Sequence, residues 1–104
     1  MLITTLETMP NMIIKKHFGV VSGSTVRAKH IGRDLFAGIK NVFGGELKGY
    51  TELLEESRSQ AIERMKDEAH NMGANAILNV RFSTSSVAPT AAEIYVCGTA
   101  VLVE

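Results

Sequence analysis

The stretch TELLEESRSQAIERMKDEAHNM, residues 51–72, decides how the rest of the chain is read. Leu54, Ala61, Ile62, Met65, Ala69 and Met72 recur at helical spacing and form one apolar stripe, while Glu, Arg, Lys and Asp fill the other face. Thr51 is a suitable N-cap, and Glu52, Glu55 and Glu56 stand where the positive end of the helix dipole favours anions. Gly73 provides the left-handed stop. At 1.5 Å per residue this predicts a helix of about 33 Å. A helix with a single apolar stripe must bury it against another layer.

The flanking sequence supplies strands for that layer. Met12 to Val21 alternates, with Ile14, Phe18 and Val20 on one face and Lys15 and His17 on the other. Lys16 interrupts the apolar face and marks the sheet rim, and Gly19 and Gly23 bracket the strand end and permit a bulge or turn. Upstream, Leu2 to Leu6 reads as a short edge strand and Met9-Pro10-Asn11 as a turn. Asp34 to Phe43 reads as a short helix stopped by Gly44-Gly45. Gly38 within it costs about 1 kcal/mol relative to Ala, which close approach of another backbone would explain. Downstream, Ala76 to Phe82 and Glu93 to Val103 read as two strands joined by a polar loop through Ser83-Thr84-Ser85-Ser86 and Pro89. Leu78, Val80 and Phe82 are expected on one face, opposite Ile77, Asn79 and Arg81. The last strand is apolar on both faces, with Ile94, Val96, Ala100 and Leu102 against Tyr95, Cys97, Val101 and Val103. The predicted fold is therefore α+β, a two-layer antiparallel sheet packed on one long helix plus a short helix. One helix layer covers one sheet face, so the second apolar face needs a partner, and an identical subunit is the simplest.

Composition sets limits on this picture. A chain of 104 residues is one domain, residues 1–104, with no internal repeat or low-complexity tail. At this size only about two-thirds of the unfolded surface is buried on folding, so a lone subunit is marginal. A hydrophobic content of 45% is high for such a chain, and self-association would bury the excess. Eleven basic and eleven acidic residues cancel, leaving no electrostatic footprint for nucleic acid or an anionic membrane. The longest apolar run, Val96 to Val103, falls far short of the about 20 residues a membrane span needs, and the N-terminus lacks the pattern of a signal peptide. A single cysteine excludes an internal disulfide and a zinc finger built within one chain, and accords with a reducing cytoplasm.

Candidate chemistry is sparse. The thiolate of Cys97 is the natural soft ligand for a heavy-metal ion, while its simpler reading is a small buried residue on a central strand. His17, His30 and His70 show no metal-ligand spacing. His17 reads as solvated surface, and His70 stands near a helix C-terminus, where the dipole favours a cation. His30 is the best placed for a site because it precedes Arg33 and Asp34, which open the short helix. These three residues are the candidate ligand-binding set. Gly19-Val20-Val21-Ser22-Gly23-Ser24 lacks the endings of phosphate-binding loops, so turn geometry is the better account of its glycines. No general base and nucleophile pair is recognisable, so no catalytic residue is assigned. The remaining alternatives are a homo-oligomeric binding module, an assembly protein, and an enzyme with an interface pocket near His30, Arg33 and Asp34.

Three segments also carry a resemblance: Gly19-Val20-Val21-Ser22-Gly23, then Arg33 to Ile39 leading to Gly44-Gly45, then Gly98-Thr99-Ala100-Val101. With Tyr50, Glu56-Ser57-Arg58, Ala61 and Gly73-Ala74-Asn75-Ala76, the chain resembles the YbjQ-like family over nearly its whole length. That family is described as candidate heavy-metal-binding proteins of unknown function. The resemblance implies a β-α-β-β core like the dodecin subunit, with extra short strands that join subunits into a five-membered ring. It also implies a divalent or heavy-metal ion as the cofactor, for which this sequence offers only Cys97 and no Cys/His cluster.

Overall fold

The computed structural model describes residues 1–28, 48–88 and 91–104. They form strands β1 (Leu2–Ile3) and β2 (Ile14–Ala28), helix α1 (Lys48–Met72), and strands β3 (Ala76–Ala88) and β4 (Ala91–Val103). The short helix expected over Asp34 to Phe43, its Gly38 and its Gly44-Gly45 stop lie outside the described residues.

The four strands form one sheet in the order β1-β3-β4-β2. β4 is antiparallel to both β2 and β3, as expected, but β1 runs parallel to β3. The sheet is therefore mixed rather than wholly antiparallel. The cause lies in the path of the N-terminal segment, which does not fold back beside β1 as a hairpin. Its Pro10-Asn11 turn, closed by the Met12 amide donating to the Met9 carbonyl at 3.2 Å, has Asn11 at φ 62°. Pro followed by a positive-φ residue is the signature of a type II turn. Met9 and Met12 then pack beneath Ala76, Leu78, Val101 and Val103, on the sheet face away from the helix. Part of that second face is thus covered by the chain's own N-terminus.

The main core lies between α1 and the sheet. Ala61, Met65 and Ala69 of the helix meet Val21, Ile77, Val80, Ile94, Val96 and Ala100. α1 lies chiefly over β2, touches β4 less and barely meets β3. Gly23 allows this approach: a β-carbon there would fall onto the Ala61 carbonyl oxygen and within 2.6 Å of the Met65 amide nitrogen. The glycine expected to end a strand is thus the place where helix and strand backbones touch, and β2 continues past it. The buried Thr25 hydroxyl donates to the Ser57 carbonyl at 2.6 Å, and the Ser57 hydroxyl to the Leu53 carbonyl at 2.8 Å. Because the contact line runs through Ser57, Ala61 and Met65, the apolar stripe is narrower than its sequence suggests. Ile62 is half-buried and Met72 is 42% exposed.

The helix stop forms as expected. Gly73 has φ 94°, its amide donates to the His70 carbonyl at 3.0 Å, and the Ala74 amide donates to the Ala69 carbonyl at 3.1 Å. This is a Schellman arrangement with buried Ala69 and Ala74 beneath it.

Among the described residues four register shifts interrupt the ladders, at Ile14/Lys16, His17/Gly19, Leu78/Arg81 and Ser86/Ala88, and the middle two change which residues face the core. In β2 the register shifts between His17 and Gly19, the latter at φ 110°, so Phe18 packs on the helix-side core while Val20 turns out to solvent. In β3 the register shifts between Leu78 and Arg81, around Asn79 at φ 55°. Leu78 consequently belongs to the N-terminal cluster and Val80 to the helix-side core; Phe82, paired with buried Val96, stays on Val80's side of the sheet but is 46% exposed. The expected shared face of Ile14, Phe18 and Val20 is corrected on these grounds, as is the placing of Leu78 with Val80 and Phe82.

Candidate functional site

The candidate region is the sheet face opposite α1, where β4 carries Glu93, Tyr95, Cys97 and Thr99 between its two neighbours. All four are half-buried. In register, Cys97 stands opposite Ser22 of β2 and Arg81 of β3, Tyr95 opposite Ser24 and Ser83, and Thr99 opposite Val20 and Leu78. Paired residues of antiparallel neighbours share a face, so Cys97 is in the middle of a surface that is mostly hydroxyl and small. Gly98 holds β4 tightly against β3: a β-carbon there would come within 2.5 Å of Ile77 Cγ2 and 3.0 Å of the Leu78 carbonyl oxygen.

Arg81 does not point a free cation at this surface. Its Nη1 donates to the Thr5 carbonyl at 3.1 Å and to the Val80 carbonyl at 2.9 Å, tying the β3 bulge to the N-terminal segment. The same segment is fastened by the Asn79 amide on the Leu6 carbonyl at 2.8 Å and the Val80 amide on the Thr4 carbonyl at 3.0 Å.

The described residues do not fit a metal ion within one subunit. Among them no three His, Cys, Asp or Glu side chains lie together in a way that could hold one. Cys97 has a serine and an arginine as cross-strand partners, and a structural zinc site needs about four ligands. His17 and His70 are both exposed. His30, Arg33 and Asp34 lie outside the described residues. Cys97 is half-buried in the single chain, on a central strand and on the face opposite α1.

Sequence reasoning did not single out Asn75. Its side-chain amide donates to the Val103 carbonyl at 2.8 Å and its oxygen accepts from the Val103 amide at 2.8 Å. Its backbone amide donates to the Val101 carbonyl at 3.1 Å, and its carbonyl accepts from the Leu2 amide at 3.2 Å. One residue therefore joins β1, β3 and β4. The available signal was an asparagine two residues beyond a glycine helix stop, where the chain must re-enter the sheet.

Comparison with other proteins now places the fold. The whole chain, residues 1–104, matches the family model YbjQ, whose description reads "Putative heavy-metal-binding". A UPF0145 protein of Hahella chejuensis is 65% identical over 104 residues, with both chains covered in full. The chain belongs to the YbjQ family. A second relative, a UPF0145 protein of Archaeoglobus fulgidus, is 51% identical over 100 residues, covering 96% of this chain and 93% of that one. A crystal structure of a protein of unknown function from the DUF74 family of Pediococcus pentosaceus superposes with a TM-score of 0.71 over 100% of this chain and 98% of that chain, at 18% identity. That similarity shows the α+β fold of a YbjQ protein, a four-stranded sheet with one long helix. Among the described residues no helix is long and apolar enough to cross a membrane.

Proposed function

We propose that this YbjQ protein is a homo-oligomeric binding module, a five-membered ring that holds a metal ion or small ligand where subunits meet, in the cytoplasm. The observation that carries this reading is the state of the sheet beyond the helix. β3 is exposed from Arg81 to Ala88, and the uncovered strands present Val20 (71% exposed), Val26 (56%), Phe82 (46%) and Val87 (54%) to solvent. Val20 and Val26 lie on the face opposite α1 and Phe82 on the helix side, so both faces of the distal sheet leave large apolar side chains in water, and burying them on another copy is favourable. The subunit is also drawn out, 53 × 24 × 16 Å with a radius of gyration of 17.0 Å, against about 13 Å for a compact domain of this length. Long strands that one subunit leaves half-covered are suited to pairing with neighbours.

A ligand shared between subunits follows from the donor chemistry. One subunit offers one thiol on its uncovered face, and a closed ring multiplies whatever each copy contributes. Native mass spectrometry of the purified protein tests the reading. We expect a ring that retains a bound ion or metabolite. A ring with no retained mass, and none gained on addition of Zn²⁺ or Cd²⁺, would remove the metal-binding part of the proposal.

A further inference from the structure

The outer edge of β2 carries a feature that the binding reading does not use. Among the described residues β2 is an outer strand of the sheet, and its Ser22 and Ser24 stand in register with Cys97 and Tyr95 on the face opposite α1. The Ser22 amide donates to Glu68 Oε2 at 3.2 Å, and Arg64 Nη1 donates to the Ser24 carbonyl. Residues two apart on a strand point their backbone groups to the same side. Arg64 and Glu68 are four apart on α1, on one helix face. Two side chains of opposite charge, one helical turn apart, thus take up one donor and one acceptor of the strand in the order in which a neighbouring strand would have used them. Their reach depends on the helix lying over β2 rather than over the sheet centre, which the missing β-carbon of Gly23, between the two serines, allows.

We propose that Arg64 and Glu68 are an edge guard: they occupy the backbone groups of β2 at Ser22 and Ser24 and keep this stretch from pairing with a strand of another copy of the chain. An exposed edge strand is a template for uncontrolled strand addition, and natural sheets block such edges with charged side chains. Here the block is a mimic of the missing strand and not only a charge. The opposite end of the sheet has a different character: β1 pairs with β3 only at Ala76 and Ile77, and β3 from Arg81 to Ala88 is exposed. The guard therefore steers strand pairing away from the middle of β2. It does not depend on the ring, because an unguarded edge is a hazard to a monomer and to an oligomer alike.

The test is the double substitution Arg64→Ala/Glu68→Ala in the full chain. Size-exclusion chromatography with light scattering and thioflavin T fluorescence follow growth beyond the wild-type species. We expect the double variant, with wild-type circular dichroism, to form thioflavin-positive high-mass material at least tenfold faster than wild type. Arg64→Lys/Glu68→Gln, which keeps a donor and an acceptor, should behave as wild type. A folded double variant with the wild-type size distribution and no thioflavin signal would overturn the proposal. Should the double variant not fold, amide hydrogen exchange of Glu68→Ala decides. Exchange at Ser22 should rise at least tenfold while amides bonded to β4 stay unchanged, and unchanged exchange at Ser22 would overturn the guard.

Discussion

Gly23 and Asn75 hold the subunit together by opposite means, one through lacking a side chain and one through using all of it. Gly23→Ala forces a methyl group into the backbone of Ala61 and Met65, neither of which can rotate away. Overpacking of this kind costs about 1–3 kcal/mol or more. Urea unfolding should show the midpoint of Gly23→Ala well below wild type, whereas Gly19→Ala meets no neighbouring atom and is penalised only by its positive φ. Asn75→Ala leaves the Val103 amide and carbonyl without their partners. A loss of about 1–3 kcal/mol is expected in the same assay, since an orphaned polar group bears its full desolvation cost. Cys97 is a different case, because its cross-strand neighbours Ser22 and Arg81 give a single subunit no further soft ligand. Isothermal titration of a folded, monomeric form of the chain with Cd²⁺ should show no sub-micromolar binding. Sub-micromolar binding there, abolished by Cys97→Ser, would mean that one subunit holds a thiolate site.

At the scale of elements, what could be read in the sequence follows from which signals are local. The helix over 51–72, its glycine stop, the Met9-Pro10-Asn11 turn and the strands on either side rest on spacing and on turn residues and have counterparts in the fold. Their bounds differ, however: α1 begins at Lys48, ahead of the expected Thr51 cap, β2 runs on to Ala28, and β3 continues to Ala88 through Ser83-Thr84-Ser85-Ser86, which the sequence marks as loop. The faces of β2 and β3 depart from simple alternation because a bulge adds one residue and reverses the faces that follow it. Gly19 hinted at the first bulge, but Asn79 at positive φ gave no signal distinguishable from ordinary alternation. The parallel pairing of β1 depends on where the N-terminal segment crosses the sheet, a tertiary contact of Met9 and Met12 that no local pattern encodes. The width of the helix stripe was overestimated for a similar reason, since burial is set by where α1 crosses β2. This yields a contrast testable by mutation. Met65 is fully buried, so Met65→Asp should abolish folding, as an unpaired buried charge costs several kcal/mol. Ile62 lies on the flank of the contact, so Ile62→Asp should lower the thermal midpoint but leave a folded protein. Equal damage from both would mean that the helix packs on a broader face than the core residues indicate. For the candidate site, the sequence disclosed Cys97 and its two-faced strand, but not that the uncovered face is lined by serine, threonine and tyrosine, which requires the register.

For the whole molecule, the central claim is that this subunit is a part of something larger. Its distal strands expose Val26, Phe82 and Val87, and its chain is high in apolar residues with zero net charge. A protein with that surface and no net charge to keep copies apart associates without limit unless its association is closed by symmetry. Substituting Val26→Asp/Val87→Asp should dissociate the assembly while preserving the helix signal, because both side chains are already exposed within one subunit. The most direct measurement is sedimentation equilibrium of the wild-type protein at micromolar concentration. We expect a single species at five times the 11.3 kDa chain mass, unchanged on dilution across the micromolar range. A stable monomer at 11.3 kDa under those conditions would contradict the account.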